Sequence, residues 1–457
     1  MGNNIKGKEL RKSLTYVIMA VTFGNVFFVS VGNPVGGAAF AKFAVQLGIN
    51  DFKYGIIMAL AILGSVIQLP FSFNIENSGK RKIIFLITGF IHRFLFIPIA
   101  LIPLLIPQKN GDLIFISIAI LVMIASASSS ITGVAFFSWM GSLVPLKIRG
   151  RYFSKRMMIY TISGAVSGII IGAYIDKYHS LINYSVLFII VALIGAVDIF
   201  CFIWIRDPPI ESTEKQSISS LKEPFKDKNY LKLIVAVSLW NFGINLPTPF
   251  LFMFMIKQLN MSLFSIYLRS QFVQNLATIF SVRMVGRIID KYGNKPVATI
   301  STVVISFIPF LWCFATPSNY FWVMPISSLI TGIFWPGFEM TFINLSIWLA
   351  PKKDRTSYLA NYTMFTSIVG IGMSYLLGSY FMKISEPYLK RLSISFITGQ
   401  TFNHYQALFI ITFATRLLIS LIFIPLINES NSRSAKDILK DMCQHLRVRT
   451  QSKKDAE

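Results

Sequence analysis

Cysteine and histidine are scarce in this chain of 457 residues, and their scarcity excludes several kinds of site. The three cysteines are too few and too scattered for a disulfide framework or a cysteine-rich metal site. The four histidines show neither metal-ligand nor catalytic-triad spacing. The glycine pattern of a P-loop is also missing, so ATP is not expected to drive the protein. We therefore expect no metal, no cofactor and no enzymatic activity.

Charged residues make up only 14% of the chain, against roughly 25% in a typical soluble domain. Hydrophobic residues reach 54% and the mean hydropathy is +0.61, more apolar surface than a soluble core can absorb. We predict an all-α membrane protein, because twelve segments are long enough to cross about 30 Å of hydrocarbon as helices. These segments are 13–46, 52–74, 83–105, 113–143, 152–176, 183–205, 229–257, 263–285, 296–314, 320–349, 356–382 and 404–427.

Acidic residues are half as common as basic ones, which gives a formal net charge of +23. Such a charge can indicate a nucleic-acid partner, but no folded basic domain is present to bind one. Of the 43 basic residues, 32 instead fall in the tails and loops on one predicted side of the membrane. The positive-inside rule then places both termini in the cytoplasm, where the basic residues can also contact anionic membrane lipids.

A stretch near the middle of the chain is repeated near its end. Residues 145–172 align with residues 351–378 at a constant offset, and the matched positions are Pro145, Arg149, Tyr152, Gly164 and Gly172 with Pro351, Arg355, Tyr358, Gly370 and Gly378. A repeat of nearly half the chain length reports architecture directly. Two related membrane halves are typical of secondary transporters.

The loops after predicted helices 2 and 8 repeat as well. The first reads Glu-Asn-Ser-Gly-Lys-Arg-Lys from Glu76, and the second reads Asp-Lys-Tyr-Gly-Asn-Lys-Pro from Asp290. Together with Gly286, the second loop resembles the cytoplasmic signature G-x-x-x-D-R/K-x-G-R/K-R/K of the major facilitator superfamily. The first loop departs from that signature, with Ser72 for the first glycine and Glu76 for the aspartate. The resemblance covers essentially the whole chain and does not specify a substrate.

The resemblance implies two homologous six-helix bundles, at residues 1–205 and 229–427, joined by a cytoplasmic linker at 206–228 and followed by a cytoplasmic tail at 428–457. It implies a monomeric secondary active transporter that moves a small solute across the cytoplasmic membrane by alternating access. Two small-residue ridges, at Gly164, Gly168 and Gly172 on helix 5 and at Gly370, Ser374 and Gly378 on helix 11, would allow close helix packing. In the family these two helices lie between the halves.

The signature loops predict a cytoplasmic gate. In the family, the loop after helix 8 faces the start of helix 5 and the loop after helix 2 faces helix 11, so Asp290 would meet the region of Arg149 and Arg151, and Glu76 would meet the region of Arg355. We expect these contacts to hold the cytoplasmic side shut; the alternative is that the charges only orient the chain. The predicted gate residues are Glu76, Gly79, Arg81, Arg149, Asp290, Gly293, Lys295 and Arg355.

Polar residues on the predicted membrane helices mark a candidate substrate cavity. Helices 1, 4, 7 and 10 line the central cavity in the family, and helix 8 borders it. The candidate cavity residues are Asn25, Asn33, Ser129, Asn241, Asn245, Gln271, Trp335 and Glu339. Each of these side chains could instead bond or pack between neighbouring helices.

Several charged residues lie deep inside predicted helices, where charge is costly and indicates a functional role by default. Two of them, Arg269 on helix 8 and Arg416 on helix 12, have no partner evident in the sequence. Glu339 is the candidate for proton coupling, since burial can raise the pKa of a carboxyl; pairing with a cationic substrate or with a structural arginine is the alternative. Arg93 and Asp198 lie at similar depths on helices 3 and 6, so we predict that they form a buried structural pair.

The direction of transport stays open at this stage. Uptake by proton symport and proton-driven efflux of amphipathic compounds are both compatible with the sequence. A membrane-embedded lipid-modifying enzyme is an alternative of another class, but it would need clustered histidine or aspartate inside the membrane. A channel is a further alternative, although two related halves favour alternating access.

Overall fold

The computed structural model describes residues 7–32, 37–68, 71, 75, 79–208, 224–351, 355–392 and 401–429. Twelve helices, here α1–α12, run through the described residues and confirm the predicted all-α fold. Their bounds are α1, Gly7–Phe27, Phe28–Gly32 and Ala38–Gln46; α2, Asp51–Ser65; α3, Arg81–Phe94 and Phe96–Leu105; α4, Gly111–Leu143; α5, Leu146–Lys177; α6, Leu181–Cys201; α7, Lys228–Asn245 and Thr248–Lys257; α8, Leu263–Ile266, Tyr267–Phe272 and Val273–Tyr292; α9, Asn294–Cys313; α10, Tyr320–Leu349; α11, Arg355–Phe365, Thr366–Gly372 and Met373–Leu392; and α12, His404–Ile422.

Ten of these helices are long and apolar enough to cross a membrane. Within the described residues, the two that are not among the ten are α2, which spans 15 residues, and α8, which carries three arginines. The helix α11 extends ten residues beyond its predicted end at 382 and reaches Leu392. Its last turns are polar and include an i,i+4 pair between Lys390 and Glu386 at 2.7 Å, which hydropathy does not detect.

One face of the bundle carries the start of α1, both ends of the linker and the end of α12, and we call it the terminal face. Arg206 at the start of the linker pairs with Glu9 at the start of α1. Asn229, just beyond the linker, exchanges hydrogen bonds with Asn428 after α12. We call the opposite end of the bundle the distal face. The linker residues 209–223 and the tail beyond 429 lie outside the described residues.

The sequence repeat corresponds to a repeat of helix packing. A Cβ on Gly164 of α5 would lie against the side chain of Asn25 on α1, and a Cβ on Gly370 of α11 would lie against Asn241 on α7. In each half, therefore, the fifth helix approaches the first at a glycine opposite an asparagine. This equivalence shows that the two halves are built on one packing plan.

Proline breaks α7 near its middle, and a buried arginine compensates for the break. Pro247 has no N–H with which to bond the carbonyl of Gly243 four residues earlier. Arg416 on α12 supplies the missing donor, since its Nε donates to the Gly243 carbonyl at 3.1 Å and its Nη2 to the Ile244 carbonyl at 3.1 Å. Arg416, which had no evident partner in the sequence, thus stabilises the helix break.

Candidate functional site

The two halves meet at the distal face around the carboxylate of Asp51, the first residue of α2. Its Oδ1 accepts a hydrogen bond from the Nζ of Lys257 on α7 at 2.5 Å. Its Oδ2 accepts one from the hydroxyl of Tyr405 on α12 at 2.5 Å and lies 3.4 Å from the Nε2 of His404. A single side chain of the first half is thereby tied to two helices of the second.

Asp51 is 6% exposed and lies just before the predicted span 52–74. Burial acts to raise its pKa, but the hydrogen bond from His404 and the positive charge of Lys257 outweigh burial, so the pKa lies below its ordinary value. The carboxylate therefore stays ionised throughout the physiological pH range. It acts as a fixed negative charge between the halves.

A second carboxylate joins the halves where α5 meets α8. Asp176, near the end of α5, accepts hydrogen bonds from the backbone N–H groups of Leu263 at 2.9 Å and Phe264 at 2.7 Å, the first residues of α8. A carboxylate stabilises the N-terminus of a helix because free N–H groups and the helix dipole point at it. Gly172, one turn earlier on α5, permits this approach, since a Cβ there would lie 2.8 Å from the backbone nitrogen of Phe264.

The predicted ridges on α5 and α11 differ in their partners. Gly168 and Gly172 contact the other half at Tyr267 and Phe264, as predicted for a helix between the halves. Gly378 instead contacts the Leu246 carbonyl on α7, so the α11 ridge packs within its own half. The helix α11 reaches the first half through Ser379, whose hydroxyl lies where a Cβ on Gly55 of α2 would stand.

The apolar core is arranged differently toward the distal face and toward the terminal face. One buried cluster contains residues of both halves, for example Phe43 and Tyr54 with Phe254 and Phe409. Two other clusters each belong to one half: one surrounds Trp139 in the first half, and the other surrounds Trp240 in the second. The halves thus share a core toward the distal face and have separate cores toward the terminal face.

Two of the predicted cavity asparagines lie one turn apart on α7 and face α11. The Nδ2 of Asn241 donates to the Val237 carbonyl at 2.9 Å, and the Nδ2 of Asn245 donates to the Asn241 carbonyl at 2.8 Å. The Oδ1 of Asn245 accepts a hydrogen bond from the hydroxyl of Tyr375 at 3.2 Å. Both side chains are half-buried and lie immediately before the break in α7.

The other predicted cavity residues are distributed over several helices. Asn25 on α1 is buried and its Nδ2 donates to the Tyr160 carbonyl of α5. Ser129 on α4 and Gln271 on α8 are half-buried. Asn33 lies outside the described residues.

Glu339 on α10 is exposed, although it lies ten residues from the end of its helix. It follows Gly332 by seven residues and therefore lies on the same stripe of the helix. Gly332 packs on α8, where a Cβ would collide with the Gln274 carbonyl oxygen. Half-buried Trp335 lies one turn before Glu339, with its ring centroid 5.2 Å from that of Phe338. Toward the terminal face, the stripe that packs on α8 thus becomes accessible at Glu339.

Among the described residues, no hydrogen bond or ion pair joins the predicted gate partners Asp290 and Arg149. Gly79 and Gly293 both have positive φ, 64° and 94°, as their turns require. Asp290 is exposed, while the Nη2 of Arg149 donates to the Gly141 carbonyl at 2.6 Å. Lys295 donates its backbone N–H to Glu429 at 2.7 Å. Glu76 lies outside the described residues, as does the Arg355 side chain.

Arg81 is buried, and its hydrogen-bond partners among the described residues lie in the first half and at the start of the linker. Its Nε donates to Asp207 at 2.7 Å, and its Nη1 donates to the Ser138 carbonyl at 3.0 Å and to Ser142 at 2.9 Å. These bonds fix the start of the linker to the end of α4.

The predicted pair of Arg93 and Asp198 is confirmed. The Nη2 of Arg93 donates to the Oδ2 of Asp198 at 2.6 Å, and both residues are buried. Gly24 on α1 leaves room for this pair, since a Cβ there would lie 2.5 Å from the Asp198 Oδ2. The pair links α3 and α6 behind α1.

A small, partly open cavity beside this pair was not predicted from the sequence. Its polar lining is formed by Asn25 on α1, Arg156 and Tyr160 on α5, and Asp198 on α6. Arg156 places its guanidinium 4.6 Å from the centroid of the Phe136 ring. Arg156 belongs to a run of basic residues near the start of α5, and such residues are expected to orient the chain in the membrane. The sequence therefore gives no indication that Arg156 lines a cavity.

Comparison with known proteins identifies the fold. A family model described as the Major Facilitator Superfamily matches residues 18–375. The structure is similar to a crystal structure of the nucleoside transporter NupG, with TM-score 0.68, 13% identity and coverage of 91% of this chain and 99% of that one. It is also similar to a D-xylose-proton symporter (TM-score 0.68, 14% identity, 92% and 100% coverage). A third similar structure is a bacterial homolog of the human lysosomal transporter Spinster, in an inward-facing and occupied conformation (TM-score 0.65, 13% identity, 93% and 95% coverage). No curated protein sequence matches the chain.

Proposed function

Because this chain belongs to the major facilitator superfamily, we propose that it is a secondary transporter that moves a small polar solute across the cytoplasmic membrane by alternating access. The chain carries the architecture that this mechanism needs, two equivalently packed halves joined by a long linker. Its likeness to a nucleoside transporter and to a D-xylose-proton symporter supports a polar solute and a proton as the coupling ion.

One observation carries the proposal: the halves share a buried core and charged contacts toward the distal face, but have separate cores toward the terminal face. The positive-inside distribution of basic residues makes the terminal face cytoplasmic. We infer an inward-open state from these two facts. In the outward-open state the contacts of Asp51 and Asp176 would break, and Asp290 would approach Arg149 to close the cytoplasmic side.

Replacing Asp51 with asparagine should shift the protein toward the outward-open state. Hydrogen bonds to a charged group contribute about 1.5–3 kcal/mol each, and tenfold in an equilibrium constant corresponds to about 1.4 kcal/mol. Loss of the carboxylate should therefore raise the outward-open population at least about tenfold. The substitution Ser379→Cys places a thiol at a fully buried position between α11 and α2. Its labelling by an impermeant maleimide added outside intact cells reports the opening of the distal face.

The native cysteines, Cys201, Cys313 and Cys443, are replaced by serine for this measurement. Asp112→Asn is the matched control, because Asp112 pairs with Lys53 within the first half at 2.6 Å and joins no described helix of the second. Equal labelling at position 379 in the parent and in the Asp51→Asn variant would show that Asp51 does not hold the distal face closed.

The Glu339→Gln variant should lose proton-driven accumulation of the solute and retain solute exchange. If Glu339 loads and releases the coupling proton, its amide should lower accumulation driven by a pH gradient at least about tenfold, while solute exchange without a gradient persists. The assay uses proteoliposomes and the first solute found to raise the melting temperature of the purified protein, since a ligand that binds only the folded state stabilises it. Glu386→Gln, at a residue paired with Lys390 on the last turns of α11, is the control. Undiminished gradient-driven accumulation by the Glu339→Gln variant would rule out this role.

A further inference from the structure

The cavity between α1, α5 and α6 is lined by the Arg156 guanidinium and the Asp198 carboxylate, and a second guanidinium, that of Arg93, lies behind Asp198. Asp198 carries one negative charge and already pairs with Arg93 at 2.6 Å. Arg156 lines the same cavity, within electrostatic range of Asp198 but without an ion pair to any described residue. Charged side chains at membrane depth pair with a partner or mark a substrate pathway. The unbalanced guanidinium therefore favours a ligand group of negative charge.

Two buried polar atoms on the cavity residues lack hydrogen-bond partners among the described residues. They are the Nε of Arg156, which is a donor, and the Oδ1 of Asn25, which is an acceptor. The orientation of the Asn25 amide is fixed, because its Nδ2 must donate to the Tyr160 carbonyl. An unsatisfied buried group is unfavourable, so a ligand that satisfies both atoms would gain binding free energy.

The requirements of these two atoms define the ligand chemistry. Arg156 needs an acceptor, and a carboxylate or phosphoryl oxygen is the strongest one because the hydrogen bond is charge-assisted. Asn25 needs a donor, which a hydroxyl or ammonium group next to the acid provides. The cavity is small and holds one end of such a molecule. The cavity is partly open, so the rest of the molecule would extend out of its mouth.

We propose that this cavity is an anion subsite of the transport pathway, in which Arg156 binds the acid group of a small organic acid and Asn25 accepts a hydrogen bond from its neighbouring hydroxyl or ammonium group. The inference rests on the proposed transport function. It narrows the substrate from a polar solute to hydroxy or amino acids and their phosphorylated relatives. Arg93 and Asp198 support the subsite as a preformed pair that holds α6 against Gly24.

The substitution Tyr160→Cys tests the charge of the cavity in purified protein whose native cysteines are replaced by serine. Two methanethiosulfonate reagents of similar size are compared, one carrying a sulfonate and one a trimethylammonium group, each normalised to its reaction with free mercaptoethanol. A cavity of one sign concentrates the opposite charge, so the sulfonate should react at least about fivefold faster. Arg156→Gln should remove this preference, Arg156→Lys should retain most of it, and Arg269→Gln, whose guanidinium lies over the Phe321 ring, should leave it unchanged.

Ligand binding is tested by protection of the thiol introduced at position 160 from the uncharged methyl methanethiosulfonate. Lactate, gluconate and 3-phosphoglycerate are the acidic probes, and glycerol and glucose are the neutral ones. At least one acid should slow the reaction about twofold or more in an Arg156-dependent manner, while the neutral probes should not. Equal protection by acids and neutral probes, protection by none, or no preference for the sulfonate reagent would each overturn the anion subsite.

The Ser379→Cys probe separates this inference from the proposed function. If the thiol at position 379 still responds to Asp51→Asn while the thiol at position 160 shows no anion preference, alternating access stands and the anion subsite is wrong. If the thiol at position 160 selects anions but the one at position 379 never responds, the cavity binds anions in a protein that does not alternate between two states.

Discussion

Replacing Gly172 with leucine should abolish transport and leave the distal face open. A Cβ at this position would lie 2.8 Å from the backbone nitrogen of Phe264 and 2.9 Å from its Cα. Backbone atoms cannot rotate away as a side chain can, so α5 and α8 must separate. That separation also removes the hydrogen bonds from Leu263 and Phe264 to Asp176. Solute flux should fall below about a tenth of the parent value, and a thiol introduced by Ser379→Cys should be labelled from outside at least about tenfold faster.

The matched control is Gly133→Leu on α4. A Cβ on Gly133 meets no atom within 4 Å, so this substitution adds the same side chain without forcing two helices apart. Gly172→Ala should give an intermediate result, because only the Cβ itself intrudes. If Gly172→Leu transported like the Gly133→Leu protein, close approach of α5 and α8 would not be needed for the transport cycle.

The fold could be predicted from the sequence because lipid imposes few and strong constraints. Segment length and hydropathy predicted all twelve helices, and the repeat predicted that the halves would be equivalent. Gly79 and Gly293, which the signature loops placed at equivalent positions in the two halves, both adopt positive φ. The largest error in a helix end was at α11, whose polar last turns have no hydropathy signal.

The candidate site was harder to predict because its contacts cross between distant segments. Asp51 is separated from His404 by 353 residues, and nothing in either local sequence identifies the other as a partner. Arg416 donates a hydrogen bond to the carbonyl that a proline on another helix leaves unpaired. Arg93 and Asp198 could be paired in advance only because equal depth in a membrane restricts which charges can meet. Arg156 had no such restriction and looked like one more cytoplasmic cation.

The second large effect concerns stability, and it should be asymmetric between the partners Arg93 and Asp198. Breaking a buried ion pair by removing one partner costs about 3–5 kcal/mol, because the other charge is left uncompensated. Asp198→Asn leaves two guanidiniums, those of Arg93 and Arg156, near one cavity without a carboxylate. Arg93→Met leaves Asp198 with Arg156 still within electrostatic range. We therefore expect Asp198→Asn to lower the melting temperature of the purified protein more than Arg93→Met does.

The double variant Arg93→Met/Asp198→Asn distinguishes lost pairing from lost packing. It removes one charge of each sign and leaves Arg156 as the charge beside the cavity, so it should melt above Asp198→Asn alone. Asp207→Asn is a control at a carboxylate that also pairs with a buried arginine, Arg81, but is itself 22% exposed at the terminal face, where water can replace the lost contact. Equal melting temperatures for Asp198→Asn and Arg93→Met would mean that Arg156 does not share the charge of Asp198. The unbalanced guanidinium assigned to the cavity would then be wrong as well.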